Sequence, residues 1–256
     1  MSPAIQALIA STLSSLLGLA GGFLLLAQYR GVQRLSSYLV SFAAGAMLGA
    51  AFFDLLAEAV SESAGRLGAV FTWLLVGFLL FFLIEKFLLW HHHGHGHERH
   101  DDVHEHQALG PLIIVGDAVH NFLDGTIIAA AFLVSPALGV STATAVLAHE
   151  LPQEIGDFGI LIHGGMRRRA VAGWNLFGAL VSPVGTMVTL LAAGLIDGLV
   201  LPLVALAAGA FIYIAAADLV PEIHREKSLA KTVVQLGLLV LGILTIIGVG
   251  QVFPGG

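Results

Sequence analysis

Two short runs concentrate the side chains able to do chemistry. GDAVHNFLDG places Asp117, His120, Asn121 and Asp124 at i, i+3, i+4 and i+7, which on a helix is one face. HELPQEIGD places His149, Gln153 and Gly156 on one line, with Glu150, Glu154 and Asp157 beside it. Imidazole nitrogen with carboxylate and amide oxygen is a ligand set for a borderline divalent cation such as zinc, cadmium, cobalt, iron or manganese. Pro152 adds to the set: it removes the amide that would bond the Ala148 carbonyl, freeing a backbone oxygen beside His149. Any one of these residues alone reads as a hydrogen bond between helices; two matching stripes read as a path for metal. His149-Glu150 also opens like the HExxH of an intramembrane zinc protease. Gln153 stands where the second histidine is needed, however, and a proline sits inside the ligand turn. With Cys absent there is no thiolate site, disulfide or Cys nucleophile either. No enzyme activity and no resident cofactor are expected.

The elements that position these runs are membrane helices. Of 256 residues 57% are apolar and only 11% charged, and mean hydropathy is +0.91. A soluble domain carries about a quarter charged residues, so there is too little polar surface to wrap such a core. The net charge of −6 with 11 basic residues excludes a nucleic-acid footprint. Crossing about 30 Å of hydrocarbon takes about 20 apolar residues. Eight runs suffice: 4–28, 36–60, 68–90, 110–134, 139–163, 171–194, 199–221 and 231–251. The first lacks a basic n-region and outruns a signal-peptide core, so it reads as a retained helix. The dyad alternation of barrel strands is absent. Ten of the eleven Lys and Arg fall at one set of helix ends (Arg30, Arg34, Lys86, Arg99, Arg167 to Arg169, Arg225, Lys227, Lys231), against Arg66 on the other. That side is cytosolic and both termini lie outside; Arg167 to Arg169 also suit anionic headgroups.

Residues 43–58 (AAGAMLGAAFFDLLAE) match 207–222 (AAGAFIYIAAADLVPE) at an offset of 164, with Asp54 on Asp218 and Glu58 on Glu222. Helices 2 and 7 run in opposite senses, so the repeat is inverted, relating helices 1–3 to 6–8 around helices 4–5, a plan common in secondary transporters. At 1.5 Å per residue His120 lies about 14 Å in from one face and His149 about 15 Å in from the other, so both reach the midplane. The expected architecture is an all-α polytopic membrane protein of eight spans, a single transmembrane domain over 1–256, with a His-rich cytosolic loop at 91–109.

His120-Asn121-Phe-Leu-Asp124-Gly125 and His149-Glu150-Leu-Pro152-Gln153-Glu154-Ile-Gly156-Asp157 resemble the signature helices of the ZIP (Zrt/Irt-like) divalent metal transporters. The likeness extends over essentially the whole chain, including eight spans, outside termini and a His-rich 3–4 loop. It implies a binuclear site, with His120, Asp124, His149 and Gln153 on one metal and Asn121, Asp124, Glu150 and Gln153 on the other. It also implies transport towards the cytosol. Gln153 departs from the pattern: members have His or Glu there, and neutral Gln is a weaker ligand.

The expected cargo is Zn²⁺ first, with Cd²⁺, Fe²⁺, Mn²⁺ and Co²⁺ as alternatives. A passive metal channel stays open, although the inverted repeat favours alternating access. Of the sixteen residues from His91 to His106, eight are His, interspersed with Glu98, Asp101, Asp102 and Glu105. No closed tetrahedral spacing occurs, which fits a low-affinity metal-buffering tract, or an inert linker. Asp54 with Glu58 falls near the outer end of helix 2, and Asp218 with Glu222 near the inner end of helix 7, suiting capture and release of cations; carboxylate solvation at helix ends is the plainer reading. The expected partners are divalent metal ions, the lipid bilayer of the plasma (inner) membrane and, as a further option, a second copy in a homodimer, with no nucleic acid.

Overall fold

The computed structural model describes residues 1–27, 29–93, 102–163, 165–196 and 198–252. Among them helix follows helix with no strand: α1 (Pro3–Ala27), α2 (29–61), α3 (Leu67–His93), α4 (Asp102–Val134), α5 (Pro136–His163), α6 (Arg168–Leu195), α7 (Val200–His224) and α8 (Leu229–Val252). Residues 94–101 of the His-rich loop lie outside the described residues. α3 runs on to His93 and α4 begins at Asp102, so helical backbone takes up both ends of the expected 91–109 loop. α2 likewise starts before residue 36. Hydropathy marks where a run stops being apolar, whereas backbone hydrogen bonds continue a helix through polar residues beyond it.

Seven of these eight helices are long and apolar enough to cross a membrane. α5 is not among them, because it carries His149, Glu150, Gln153, Glu154 and Asp157. Outward-facing Leu, Phe and Val side chains cover α3, α6 and α8, including Phe71, Leu75, Phe177, Leu191, Leu236 and Leu244. A lipid-facing surface needs such residues, since apolar side chains there cost nothing.

α2 is not uniform. Tyr29–Gly49 and Leu56–Ser61 are α-helical, and Ala50–Leu55 between them is π-helical. α7 repeats the pattern with Val200–Ile214, a π segment at Ala215–Leu219, then Val220–His224. At the offset of 164, residues 51–55 fall on 215–219. Such segments often mark functional sites, and each holds one of the two matched aspartates.

The closest helix pairs are α1 with α5, α4 with α6, α2 with α8 and α3 with α7. Backbones touch where a side chain would prevent it. A Cβ on Gly45 of α2 would collide with the Leu239 carbonyl of α8, and one on Gly209 of α7 with the Leu74 carbonyl of α3. Small residues permit this close approach between membrane helices. The converse contacts, Gly242 on the Phe42 carbonyl and Gly77 on the Leu206 carbonyl, complete two matched pairs. The central core is correspondingly rich in alanine: Ala43, Ala44, Ala46, Ala207, Ala208 and Ala210 are all fully buried.

Polar contacts fix the ends of this frame. The Tyr213 hydroxyl donates to Glu85 of α3, with Phe78 and Phe82 edge-on to the tyrosine ring. Before α8, Glu226 accepts the backbone N–H groups of Ser228 (2.8 Å) and Lys227 (3.0 Å) and pairs with Lys231. These contacts, that of Ser228 foremost, hold its carboxyl below the usual range.

Candidate metal site

α4 and α5 are joined across Ser135, whose hydroxyl accepts the N–H of Leu138 and starts α5 (3.2 Å). So short a connection makes the two helices antiparallel neighbours, and their stripes meet. His120, Asp124, His149 and Glu150 each offer a ligand atom, all within 4.8 Å of one another. The two Nε2 atoms stand 3.0 Å apart. Asp124 Oδ2 is 3.2 Å from His149 Nε2 and 3.6 Å from His120 Nε2. Glu150 Oε1 is 3.9 Å from each. Ligand atoms about 2.0–2.1 Å from a tetrahedral zinc stand about 3.3 Å apart, so these separations bracket the edges of such a tetrahedron. The meeting of His120 with His149, expected from helix rise alone, is what the structure has.

The surroundings complete the chemistry. His149 Nδ1 donates to the Ala145 carbonyl (3.1 Å), leaving Nε2 with the lone pair. Asp124, His149, Glu150 and Glu154 are each 1% exposed. Both oxygens of Asp124, both of Glu154 and Oε1 of Glu150 are buried without a hydrogen-bond donor. Among the described residues the ion pairs of Asp124 and Glu150 run only to the two histidines. Buried acceptors without donors are costly unless a cation meets them.

The remaining sequence-derived residues divide. Asn121 and Asp117 share the expected helix face but bond to each other. Asn121 Nδ2 donates to Asp117 Oδ1 (2.9 Å) and to the Asp117 carbonyl (3.2 Å). That leaves Asn121 Oδ1 buried without a donor. Asp117 itself lies against Gly178 of α6, in space that a Cβ would fill. Gln153 and Asp157 line a cavity of about 380 Å³ that runs from His120 and His149 to Asp218 and Glu222 near the end of α7. The matched acid Asp54 does not line it; it accepts a hydrogen bond from Ser141 of α5. Glu58, half-buried, lies one turn beyond Asp54. Glu222 pairs with Arg225 at 2.8 Å. The second imidazole comes from α4 and not from position i+4 of the HExxH-like run, so the protease geometry is not formed. Sequence reasoning passed over Phe81 and Phe211, which pack on the imidazoles, and Glu85 with Tyr213. Apolar periodicity carries no signal for such contacts between distant helices.

A family model described as ZIP zinc transporter matches residues 1–111 and 89–250. Zinc transporter foi of Drosophila melanogaster is 43% identical over 143 residues, 56% of this chain and 20% of that protein. Zinc transporter ZIP10 of Homo sapiens is 35% identical over 139 residues, 51% of this chain and 17% of that protein. Zinc transporter ZIP13 of Pongo abelii is 33% identical over 227 residues, covering 82% and 65%. The chain thus spans a fifth or less of the length of the first two relatives.

Proposed function

The chain belongs to the ZIP zinc transporter family, and from that premise we propose that it carries divalent metal ions, zinc first among them, across the plasma (inner) membrane towards the cytosol. The observation that carries this reading is the buried group of two imidazoles and two carboxylates from antiparallel helices, with acceptor oxygens that lack donors. Two ionised carboxylates and two neutral imidazoles match the charge of one divalent cation.

α5 is the eighth span in this reading. Its polar side chains are tolerable because they face α1, α4 and the cavity instead of lipid. The chain is then one transmembrane domain over 1–256 with both termini outside and the 91–109 stretch cytosolic. Matched π segments and matched glycine–carbonyl contacts support the inverted repeat. That repeat favours alternating access over a passive channel. In that frame the cavity opens from the site towards the cytosolic end of α7, the side of release. Asp218 and Glu222 stand along that exit, while Asp54 and Glu58 stand at the outer entrance.

A second ion completes a binuclear site in the family pattern, through Asn121, Asp124, Glu150 and Gln153. The free Oδ1 of Asn121 supports its part, and Asp117 orients the amide that presents it. Glu154 and Asp157 add negative charge alongside.

Uptake of radiolabelled zinc by cells expressing the chain, beside efflux from preloaded vesicles, tests the proposal. Net uptake that saturates and is abolished in His149→Ala is expected. Net export refutes the direction, and normal uptake by correctly inserted His149→Ala refutes the site. Flux strictly linear with the gradient would favour a channel.

A further inference from the structure

Coordination needs not only ligands but ligands that stand still. The final torsion of a histidine side chain is broad, so an imidazole holds one pitch only if something fixes it. His149 has the hydrogen bond from Nδ1 to Ala145. Among the described residues nothing comparable holds Nδ1 of His120. What both rings share is an aromatic edge. Phe81 of α3 stands 6.1 Å from the His120 ring at 82°, and Phe211 of α7 stands 6.1 Å from the His149 ring at 67°. The imidazoles themselves cross at 74° and 5.3 Å. Phe81 is 5% exposed and Phe211 fully buried, so neither can swing into solvent.

These phenyl rings are on a stiff mount. Gly77 lies one turn before Phe81 and Gly209 two residues before Phe211, and both glycines lock α3 to α7 by backbone contact. The other half of the repeat lacks the device. Its matched positions are Met47 and Ile246, buried and aliphatic. The aromatic pair is therefore a feature of the site and not of the repeat.

We propose that Phe81 and Phe211 are positioning residues that set the pitch of His120 and His149, and hence the geometry and affinity with which divalent metal is held. This rests on the metal-site reading above. Phe81 carries more of the task, since among the described residues no hydrogen bond holds Nδ1 of His120 as Ala145 holds that of His149. A shift of the α3–α7 pair against α4 and α5 withdraws both edges together, which couples affinity to helix arrangement.

Cobalt(II) tests this, because its visible absorption is strong in a four-coordinate site and weak in a six-coordinate one. The full chain, purified in detergent, is titrated with CoCl₂ as wild type, Phe81→Leu, Phe81→Met, Phe211→Leu, Phe81→Tyr and His149→Ala. Both aliphatic replacements of Phe81 should weaken cobalt binding about tenfold, the order seen for groups that orient a ligand, and flatten the visible band. Phe211→Leu should have a smaller effect, and Phe81→Tyr, which restores the ring edge, should recover the wild-type spectrum. A merely structural role would lower the melting temperature of Phe81→Leu and leave the spectrum of its folded fraction unchanged, which would overturn the assignment. Wild-type spectra in every folded Phe81 and Phe211 variant, beside a lost band in His149→Ala, would overturn it while sparing the site. No cobalt binding by wild type would overturn both.

Discussion

Replacing Gly18 with alanine should weaken zinc binding without altering any ligand. Gly18 of α1 faces Glu150, and a Cβ placed there would lie 2.8 Å from Glu150 Cβ and 3.4 Å from its Oε2. Carbons in contact settle at about 3.5–4.0 Å, so the two groups must part by roughly 1 Å. α1 does not take all of this up, because backing away would also open its close contacts at Gly21 and Gly22 with Leu151 and Phe158 of the same helix and forfeit that packing. Part of the displacement therefore reaches Glu150, whose Oε1 already stands 3.9 Å from both imidazole nitrogens. Zinc bound by four ligands is worth about 10–16 kcal/mol, or about 3 kcal/mol per ligand, equivalent to roughly a hundredfold in Kd. Full loss of Glu150 gives that hundredfold; displacement shared with α1 gives about tenfold. Competition with a zinc indicator dye on the purified chain measures it, with thermal melting alongside to establish that the variant is folded. Gly173→Ala is the comparison, since a Cβ there meets nothing within 4 Å. Gly18→Ala binding zinc within twofold of both wild type and Gly173→Ala would refute the reasoning.

Deleting residues 91–106 should preserve basal transport and change only its response to cytosolic metal; uptake at fixed external zinc, with the cytosolic level varied, checks this, and abolished transport in inserted protein would place the loop in the conduction path. Asp54→Asn with Glu58→Gln should raise the KM for external zinc about tenfold with modest loss of maximal rate, whereas Asp218→Asn with Glu222→Gln should lower the maximal rate and leave KM nearly unchanged. Uptake against zinc concentration in both double variants decides it, and identical effects at the two ends would defeat the assignment of entrance and exit. Both effects should shrink as ionic strength rises.

The stripes on α4 and α5 were legible in the sequence because ligand spacing and apolar length are both periodic. Helix rise alone sufficed to bring His120 to His149. The same periodicity leaves one detail out at Asp117. Its face is right, but Gly178 of α6 opens a recess where Asp117 turns to Asn121, and no pattern within α4 records that. α5 drops below the apolarity of a membrane span because the site itself supplies its polar residues. The matched glycines read only as a small-residue repeat until the partner carbonyls are in view. Phe81 and Phe211 read as ordinary apolar residues of a span, since what distinguishes them is the ring each one meets.

The π segments have a consequence for the chain's tolerance of changes in length. A π turn is an α-helix carrying one surplus residue. Removing a residue almost anywhere in α2 would rotate all that follows by about 100°, turning buried Ala59 outward. Removing one within Ala50–Leu55 should instead restore a plain α-helix, leaving Gly45 against α8 and Ala59 in the core with their phases unchanged. The surplus residue stands at the same register in α7. Removing one within Ala215–Leu219 should therefore be tolerated in the same way, leaving Gly209 against α3 and Ile223 in the core with their phases unchanged.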